Sequence, residues 1–172
     1  MKISYMDKIE HTIIFNDEIT HKKIQTLIEY INAYEFVNLY FATNGGRLDI
    51  MSILVDFLNY RNKLNSIRVI LFDYIGSAGT LILTKYKGTV YTSGLRAIML
   101  HAPDISANII RKDDFQKGME QLLEDTNNLY FKDLLKIGIT NDEIAKIKKG
   151  DDVYLFKKDI TKLKRKLVEF KP

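Results

Sequence analysis

Short runs of β-branched and aromatic residues alternate with amphipathic segments along the first half of the chain. The runs predict β-strands at residues 12–15, 37–42 and 68–73, and apolar residues at helical spacing predict helices at residues 22–33 and 47–60. Because the connections between these segments are short, their order is typical of a parallel sheet covered by crossover helices. The pattern therefore predicts an α/β fold.

The second half of the chain continues with further strands and helices. Residues 88–91 and 97–100 predict two more strands, and a long apolar stripe predicts one extended helix, or two in sequence, at residues 113–136. A capping pattern predicts a shorter helix at residues 140–149, and an apolar run follows at residues 153–156. With 172 residues, 46% of them apolar, the chain is long enough to bury one core, so we expect a single domain.

Composition narrows the classes of protein to which the chain can belong. It has no cysteine, which excludes disulfides and thiolate metal sites. Charged residues interrupt the first eight positions, so we expect no N-terminal apolar targeting segment. No apolar run reaches membrane length, so we expect a cytoplasmic protein without a membrane partner. The net charge is +4, but basic residues gather only in the tail at residues 157–166, which we interpret as a solvated helix face and not as a nucleic-acid site.

Two glycine-bearing turns follow the second and third predicted strands. Residues 43–46 read Thr-Asn-Gly-Gly, and residues 76–79 read Gly-Ser-Ala-Gly. In a parallel sheet the carboxyl ends of successive strands share one edge, where ligands collect, so the two turns should lie side by side. Ser77 opens the helix after the second turn, where unpaired amides and the helix dipole can stabilise a developing negative charge.

His101 is the base that a serine nucleophile requires. It stands where the strand predicted at residues 97–100 ends. Taken singly, Ser77 is more often a helix cap, and His101 is more often a partly buried histidine bonded to the backbone. Thr80 is a rival nucleophile, but it lies one turn into the helix and away from its exposed start.

The order of these motifs resembles the proteolytic subunit of the Clp protease, within the wider crotonase-like fold. In that family a strand ends in a Ser-Pro-Gly-Gly turn, a later Ala-Ser turn presents the nucleophile, and another strand ends in Met-Ile-His-x-Pro. The matching stretches here are residues 43–46, 76–80 and 99–103, the last of which reads Met-Leu-His-Ala-Pro. Residues 14–19 also look like the first strand and turn of the family, so the resemblance covers nearly the whole chain.

The resemblance implies a fold and an activity. The fold would be a single α/β domain over residues 1–172, with repeated βαβ units, a mostly parallel sheet and a protruding handle helix at about residues 111–137. The activity would be that of a serine endopeptidase that needs no cofactor or metal. Ser77 would be the nucleophile, His101 the general base, and Asp152 the acid that orients the imidazole.

The resemblance also assigns the remaining parts of the site. The family aspartate precedes an aromatic-aliphatic run, and Asp152 matches that position best, with the adjacent Asp151 as the alternative. The backbone amides of Gly46 and Ala78 would form the oxyanion hole. Small residues in both turns would let the substrate backbone come close to these amides.

Family members assemble into rings of seven subunits, stacked in pairs, in which the handle helices interlock around an inner chamber. The resemblance therefore implies a homo-oligomer that cleaves polypeptide substrates. An AAA+ unfoldase, or a phage-type role in processing capsid proteins, would select those substrates. Four apolar residues of the handle would then belong to an interface: Phe115, Met119, Leu122 and Leu123.

Three other interpretations compete with a peptidase. The chain could be an inactive structural or regulatory subunit with the same fold, or an acyl-CoA enzyme in which the two turn amides hold a thioester oxygen. The coincidence of Ser77 with the His-x-Pro motif at His101 speaks against the acyl-CoA enzyme. A basic nucleic-acid binder is the weakest alternative, because no recognition helix or stacking motif accompanies the positive charge.

Overall fold

Parallel strands in chain order form the centre of the molecule. The computed structural model describes residues 10–103 and 113–171, which form a mixed sheet with helices packed against it. The strands are β1 (Glu10–Asn16), β2 (Phe36–Thr43), β3 (Ile67–Gly76), β4 (Val90–Leu100), β5 (Val153–Phe156) and β6 (Leu167–Glu169). The helices are α1 (His21–Asn32), α2 (Leu48–Lys63), α3 (Leu81–Lys85), α4 (Asp113–Ile137), α5 (Asn141–Lys148) and α6 (Lys157–Ile160), and a 3₁₀ turn spans Ser77–Thr80.

The sheet is mostly parallel. Its strands follow the order β1-β2-β3-β4-β5, and the first four run parallel to one another. β5 is antiparallel to the end of β4, while β6 runs parallel to the start of the same strand. Helices α1 and α2 each connect two successive parallel strands. The α/β fold with a mostly parallel sheet and crossover helices, which the sequence predicts, is therefore confirmed.

One continuous strand replaces the two strands predicted at residues 88–91 and 97–100. β4 runs from Val90 to Leu100 without a break, so the predicted interruption is wrong. Gly94, which lies between the two predicted strands, has a φ of +65°, and the register between β3 and β4 shifts on both sides of Asp73. A bulge of this kind bends a strand while pairing continues on either side of it.

The basic tail is not the solvated helix face that its lysines suggest. α6 is only four residues long, and β6 then pairs with the first residues of β4. The Phe170 N–H continues this pairing with a 2.8 Å hydrogen bond to the Thr92 carbonyl, and its ring lies edge-on to Tyr40 and Tyr91. The apolar residues between the lysines are too few to show a strand period, so the sequence gives no sign of β6.

The last turns of helix α4 pack into the core. It is a single helix of 25 residues, where the sequence left one or two helices open. Tyr130, Phe131 and Leu134 are all buried and belong to the same apolar cluster as Ile75 of β3 and Ile82 of α3.

Within residues 10–103 and 113–171, no helix combines the length and apolar composition that a membrane crossing requires.

An earlier part of α4 is exposed. Leu122 and Leu129 are 54% and 56% exposed, although both are large apolar side chains. The other three residues expected to form an apolar interface on this helix, Phe115, Met119 and Leu123, lie outside the residues whose side chains the structure describes.

Candidate active site

The hydroxyl of Ser77 and the imidazole of His101 are hydrogen-bonded to each other. Ser77 Oγ lies 2.5 Å from His101 Nε2. The sheet explains this proximity, because β3 and β4 are neighbours and Gly76 at the end of β3 pairs with Met99 near the end of β4. The residues that follow these strand ends therefore meet at one edge, and their side chains form the nucleophile and base arrangement of hydrolytic enzymes.

Ser77 has a backbone conformation that non-glycine residues seldom adopt. Its φ is +51°, and it is the first residue of the 3₁₀ turn that connects the end of β3 to α3. A strained serine on a sharp strand-to-helix turn is typical of nucleophiles, because the turn projects the hydroxyl away from the backbone. The residue types around Ser77 do not reveal this strain.

The turn that contains Gly45 and Gly46 packs directly against the turn that carries Ser77. Both glycines have positive φ values, +117° and +137°. A Cβ atom at Gly45 would lie 2.4 Å from the Cβ of Ser77, and a Cβ at Gly79 would lie 2.4 Å from Cγ2 of Thr43. The two turns thus lie side by side, as the order of strands predicts, and glycine is required where they touch.

The amide of Gly46 is free to bind an oxyanion. The chain on either side of it pairs with Ile19: the Ile19 N–H donates to the Gly45 carbonyl, and the Arg47 N–H donates to the Ile19 carbonyl. Since backbone groups alternate in direction along an extended segment, the Gly46 N–H faces away from Ile19. Within the described residues it has no hydrogen-bond partner.

The amide of Ala78 comes from the other turn. Ala78 is the second residue of the helical turn, and the first N–H groups of a helix have no partner within it. Gly46 and Ala78 line the same cavity as Ser77 and His101. Two amides near the hydroxyl could therefore stabilise a tetrahedral oxyanion.

This cavity has a volume of about 850 Å³ and mixed chemistry. Its lining includes apolar side chains from Leu48, Pro103, Leu122 and Tyr130, and charged ones from Glu18, Arg47 and Asp49. The Arg47 guanidinium donates to the Asp49 carboxylate at 2.6 Å, and this bond lowers the pKa of Asp49. The cavity is large enough for several side chains of an extended polypeptide.

Asp152 is adjacent to His101 in the sheet but is not bonded to it. Leu100 pairs with Val153 across β4 and β5, so the next positions of this antiparallel register are His101 and Asp152. Both Asp152 and Asp151 are exposed, and within the described residues neither forms a hydrogen bond or an ion pair with His101. The structure therefore brings together two of the three expected triad residues and leaves the third beside them.

Tyr74 lies in β3, three residues before Ser77. Burial raises the pKa of Tyr74, and the nearby Tyr154 and Asp152 add to the rise. The ring of Tyr74 also lies beside Gly76, where an added Cβ would be 2.8 Å from Cε1 of the ring. The ring of Tyr74 is therefore packed against the strand end that precedes Ser77.

Thr80 is closed off from substrate. Its side chain is completely buried, and its hydroxyl donates a 2.6 Å hydrogen bond to the carbonyl of Ser77. A second partner is the hydroxyl of Tyr130, 3.3 Å away on α4. The sequence shows Tyr130 only as one member of a helical apolar stripe, so its position beside the turn that carries Ser77 has no sequence signal.

The described residues include no group of three or more His, Asp or Glu side chains that could hold a metal ion.

Comparison of the sequence with models of known protein families found no match, and neither did a search of curated proteins. The geometry of the site and the order of the sequence motifs are therefore the basis for a functional proposal.

Proposed function

We propose that this protein is a serine hydrolase in which Ser77 is the nucleophile and His101 is the general base. The observation that carries the proposal is the 2.5 Å contact between Ser77 Oγ and His101 Nε2. It is supported by the positive φ of Ser77 and by the neighbouring amides of Gly46 and Ala78. A structural serine cap does not need an imidazole partner or a strained backbone.

Within that class, we propose a peptidase similar to the proteolytic subunit of the Clp protease. His101 would accept the proton of Ser77 as the hydroxyl attacks a peptide carbonyl, and would then donate it to the departing amine. The tetrahedral oxygen would be held by the amides of Gly46 and Ala78, and losing one such donor lowers turnover by on the order of 10²-fold. Water would release the acyl group by the same steps in reverse order.

Asp152 would complete the triad through a change of side-chain rotamer. Directly opposite residues of an antiparallel pair have Cβ atoms about 4.5–5.5 Å apart, and the register of Leu100 with Val153 extends to His101 and Asp152. A carboxylate at that distance can reach Nδ1 of the imidazole and hold it in the tautomer that accepts a proton from Ser77. Asp151 precedes it by one residue, so alternation directs its side chain to the other face of the strand.

We propose that the protein assembles into a homo-oligomeric ring, which the resemblance to Clp proteases suggests has seven subunits. Its polypeptide substrates would be delivered by an AAA+ unfoldase or would be phage capsid proteins. The exposure of Leu122 and Leu129 on α4 supports an oligomer, because apolar side chains clustered on a helix surface favour association. α4 also occupies the chain position of the handle helix, after the strand that ends at His101. The crotonase and Clp-type form of the α/β fold is part of this proposal.

A fluorophosphonate probe, which reacts with activated serines, tests the proposed function. We expect the wild-type protein to be labelled at Ser77, and both Ser77→Ala and His101→Ala to lose the labelling. Ser52→Ala is a matched control, because Ser52 lines the same cavity, and His21→Ala replaces an exposed histidine at the start of α1. Both controls should be labelled at the wild-type rate. Labelling that persists in Ser77→Ala would contradict the assignment of the nucleophile.

A catalytically inactive structural or regulatory subunit is the second candidate function. It is favoured by one observation, the absence of a bond between Asp152 and His101 in the described residues. Folded wild-type protein that does not react with the probe between pH 6 and pH 9 would support this candidate. Hydrolysis of an unfolded, fluorescently labelled polypeptide would exclude it.

A further inference from the structure

We propose that Thr80 and Tyr130 are positioning residues that hold Ser77 in its strained conformation. The Thr80 hydroxyl lies 2.6 Å from the Ser77 carbonyl and 3.3 Å from the Tyr130 hydroxyl. These three groups form a chain of hydrogen bonds from α4 to the nucleophile turn. The catalytic meaning of this chain rests on the proposed function, but its effect on the geometry of Ser77 does not.

Counting protons gives the direction of both hydrogen bonds. A carbonyl oxygen can only accept, so the single hydroxyl proton of Thr80 is donated to Ser77. Thr80 must therefore accept from Tyr130, whose hydroxyl proton points to Thr80 Oγ1. Each hydroxyl thus fixes the orientation of the next.

Burial strengthens this chain. Thr80 is completely buried and Tyr130 is 7% exposed, so both hydroxyl groups are largely shielded from water. Burial also raises the pKa of Tyr130, which keeps its hydroxyl protonated as a donor. In such surroundings a missing partner leaves a buried polar group unsatisfied.

The strained backbone of Ser77 explains why these hydrogen bonds would be needed. A φ of +51° is unfavourable for serine, so the surrounding structure must hold it in place. The bond from Thr80 fixes the carbonyl of Ser77 and closes the 3₁₀ turn, which sets the direction of the Ser77 side chain toward His101. Without it, Ser77 could relax toward the right-handed helical region, and its Oγ would move away from Nε2.

A second contact places α4 firmly enough for Tyr130 to act. Asp133, one turn after Tyr130, forms an ion pair with Lys85 at the end of α3. α4 is therefore attached at two points to the helical segment that begins at Ser77. The hydroxyl of Tyr130 is held at a defined distance from Thr80 by this attachment and by the packing of its ring beside Phe131.

The variants Thr80→Val and Tyr130→Phe test the proposal, because each removes a hydroxyl with little change of shape. We expect Thr80→Val to lower the rate of probe labelling at Ser77 by about 10-fold or more, and Tyr130→Phe to lower it several-fold, since small displacements of a nucleophile are costly. The loss should fall on kcat more than on KM for an ester substrate. Thr80→Ser, which keeps the hydroxyl, should restore the rate.

Thr84→Val is the matched control. The Thr84 hydroxyl donates to the carbonyl of Leu81, three residues earlier, as Thr80 does to Ser77, but it lies one helical turn further from the site. Removing it should leave the labelling rate unchanged. An equal loss of rate in Thr84→Val and Thr80→Val would show a general effect on the helix and would overturn the proposal.

A measurement that needs no activity separates this inference from the proposed function. The ¹⁵N chemical shift of His101 Nε2 reports its hydrogen bond to Ser77, and we expect it to change in Thr80→Val and to return in Thr80→Ser. If the wild-type protein reacts with no probe but this shift still changes, the proposed function fails and the positioning role stands. If the shift and the labelling rate are both unchanged in folded Thr80→Val and Tyr130→Phe, the positioning role is wrong.

Discussion

Gly45 lies so close to Ser77 that any larger residue at position 45 would overlap with the Ser77 side chain. A Cβ atom at residue 45 would lie 2.4 Å from the Cβ of Ser77 and 2.9 Å from its Oγ. The turn that contains Gly45 and the turn that carries Ser77 are thus shaped around each other. A side chain at residue 45 must therefore displace Ser77, the proposed nucleophile, directly.

This contact predicts the effect of Gly45→Ala. We expect probe labelling of Ser77 to fall by about 100-fold, because displacement of a nucleophile by roughly 1 Å has an effect of that order. Gly150→Ala is the matched control: Gly150 also has a positive φ, +93°, but a Cβ there would meet nothing within 4 Å. Both variants introduce a backbone strain of about 1–2 kcal/mol, so only Gly45→Ala adds the contact with Ser77. A normal labelling rate in Gly45→Ala would contradict the prediction, because it would show that the two turns can move apart.

The register of β4 with β5 predicts different effects for two neighbouring aspartates. Asp152→Asn should lower the labelling rate at least about 10-fold, because the proposed triad would lose the carboxylate that stabilises the protonated imidazole of His101. Asp151→Asn should have no effect, because the register of Leu100 with Val153 sets Asp152, and not Asp151, opposite His101. The measurement is the rate of fluorophosphonate labelling across the pH range 6–9. If Asp151→Asn lowered the rate and Asp152→Asn did not, Asp151 and not Asp152 would be the residue that acts on His101, and the prediction would be wrong.

Asp133 predicts a pH-dependent contribution to stability. Burial alone would raise the pKa of its carboxyl, but hydrogen bonds and charge from Lys136 and Lys85 lower it overall from the usual 3.8. A lowered pKa means that the ionised carboxylate stabilises the fold above pH 3.8, and that this stability is lost as the pH falls through the folded-state pKa. Asp133→Asn should therefore reduce the free energy of unfolding by about 1–2 kcal/mol at pH 7, a small value because both lysines are partly exposed.

Urea unfolding at pH 7, 4 and 3 measures this contribution. The difference in unfolding free energy between the wild type and Asp133→Asn should shrink as the pH falls below 4. Asp56→Asn removes an exposed carboxylate on α2 that forms no ion pair within the described residues, so it should change stability little at any of these pH values. A constant difference for Asp133→Asn at all three pH values would exclude the ionised carboxylate as its cause.

Tyr86 predicts the alkaline limit of stability. Burial raises the pKa of its phenol to about 12, and only 1% of the residue is exposed. The unfolded chain ionises at the ordinary value of 10.0, so the fold loses up to about 1.4 kcal/mol per pH unit between pH 10 and pH 12 through this group. In Tyr86→Phe this loss should disappear, and thermal unfolding at pH 9, 10 and 11 would detect the difference. Tyr30→Phe, at an exposed tyrosine, should keep the wild-type slope.

Much of the fold could be predicted because the signals for it are local. The strands and helices up to residue 73 follow from apolar residues at spacings of two or three to four, and each such pattern indicates its own element without reference to the rest of the chain. The prediction of two strands at residues 88–91 and 97–100 was wrong, because the paired strand continues through Gly94, where it bends. Prediction also failed at β6, whose three residues are too short to show a period.

The candidate site divides in the same way. The sequence by itself determined that a small-residue turn carrying Ser77, a Gly-Gly turn and a strand ending in His101 should share the carboxyl edge of a parallel sheet, because strand order and connection length fix which ends meet. Only the tertiary structure decided the 2.5 Å contact of Ser77 with His101, the positive φ of Ser77 and the burial of Tyr130 against Thr80. The physical reason is that these depend on the register of β3 with β4 and on side-chain packing between residues distant in the chain, which no local pattern of residue types specifies.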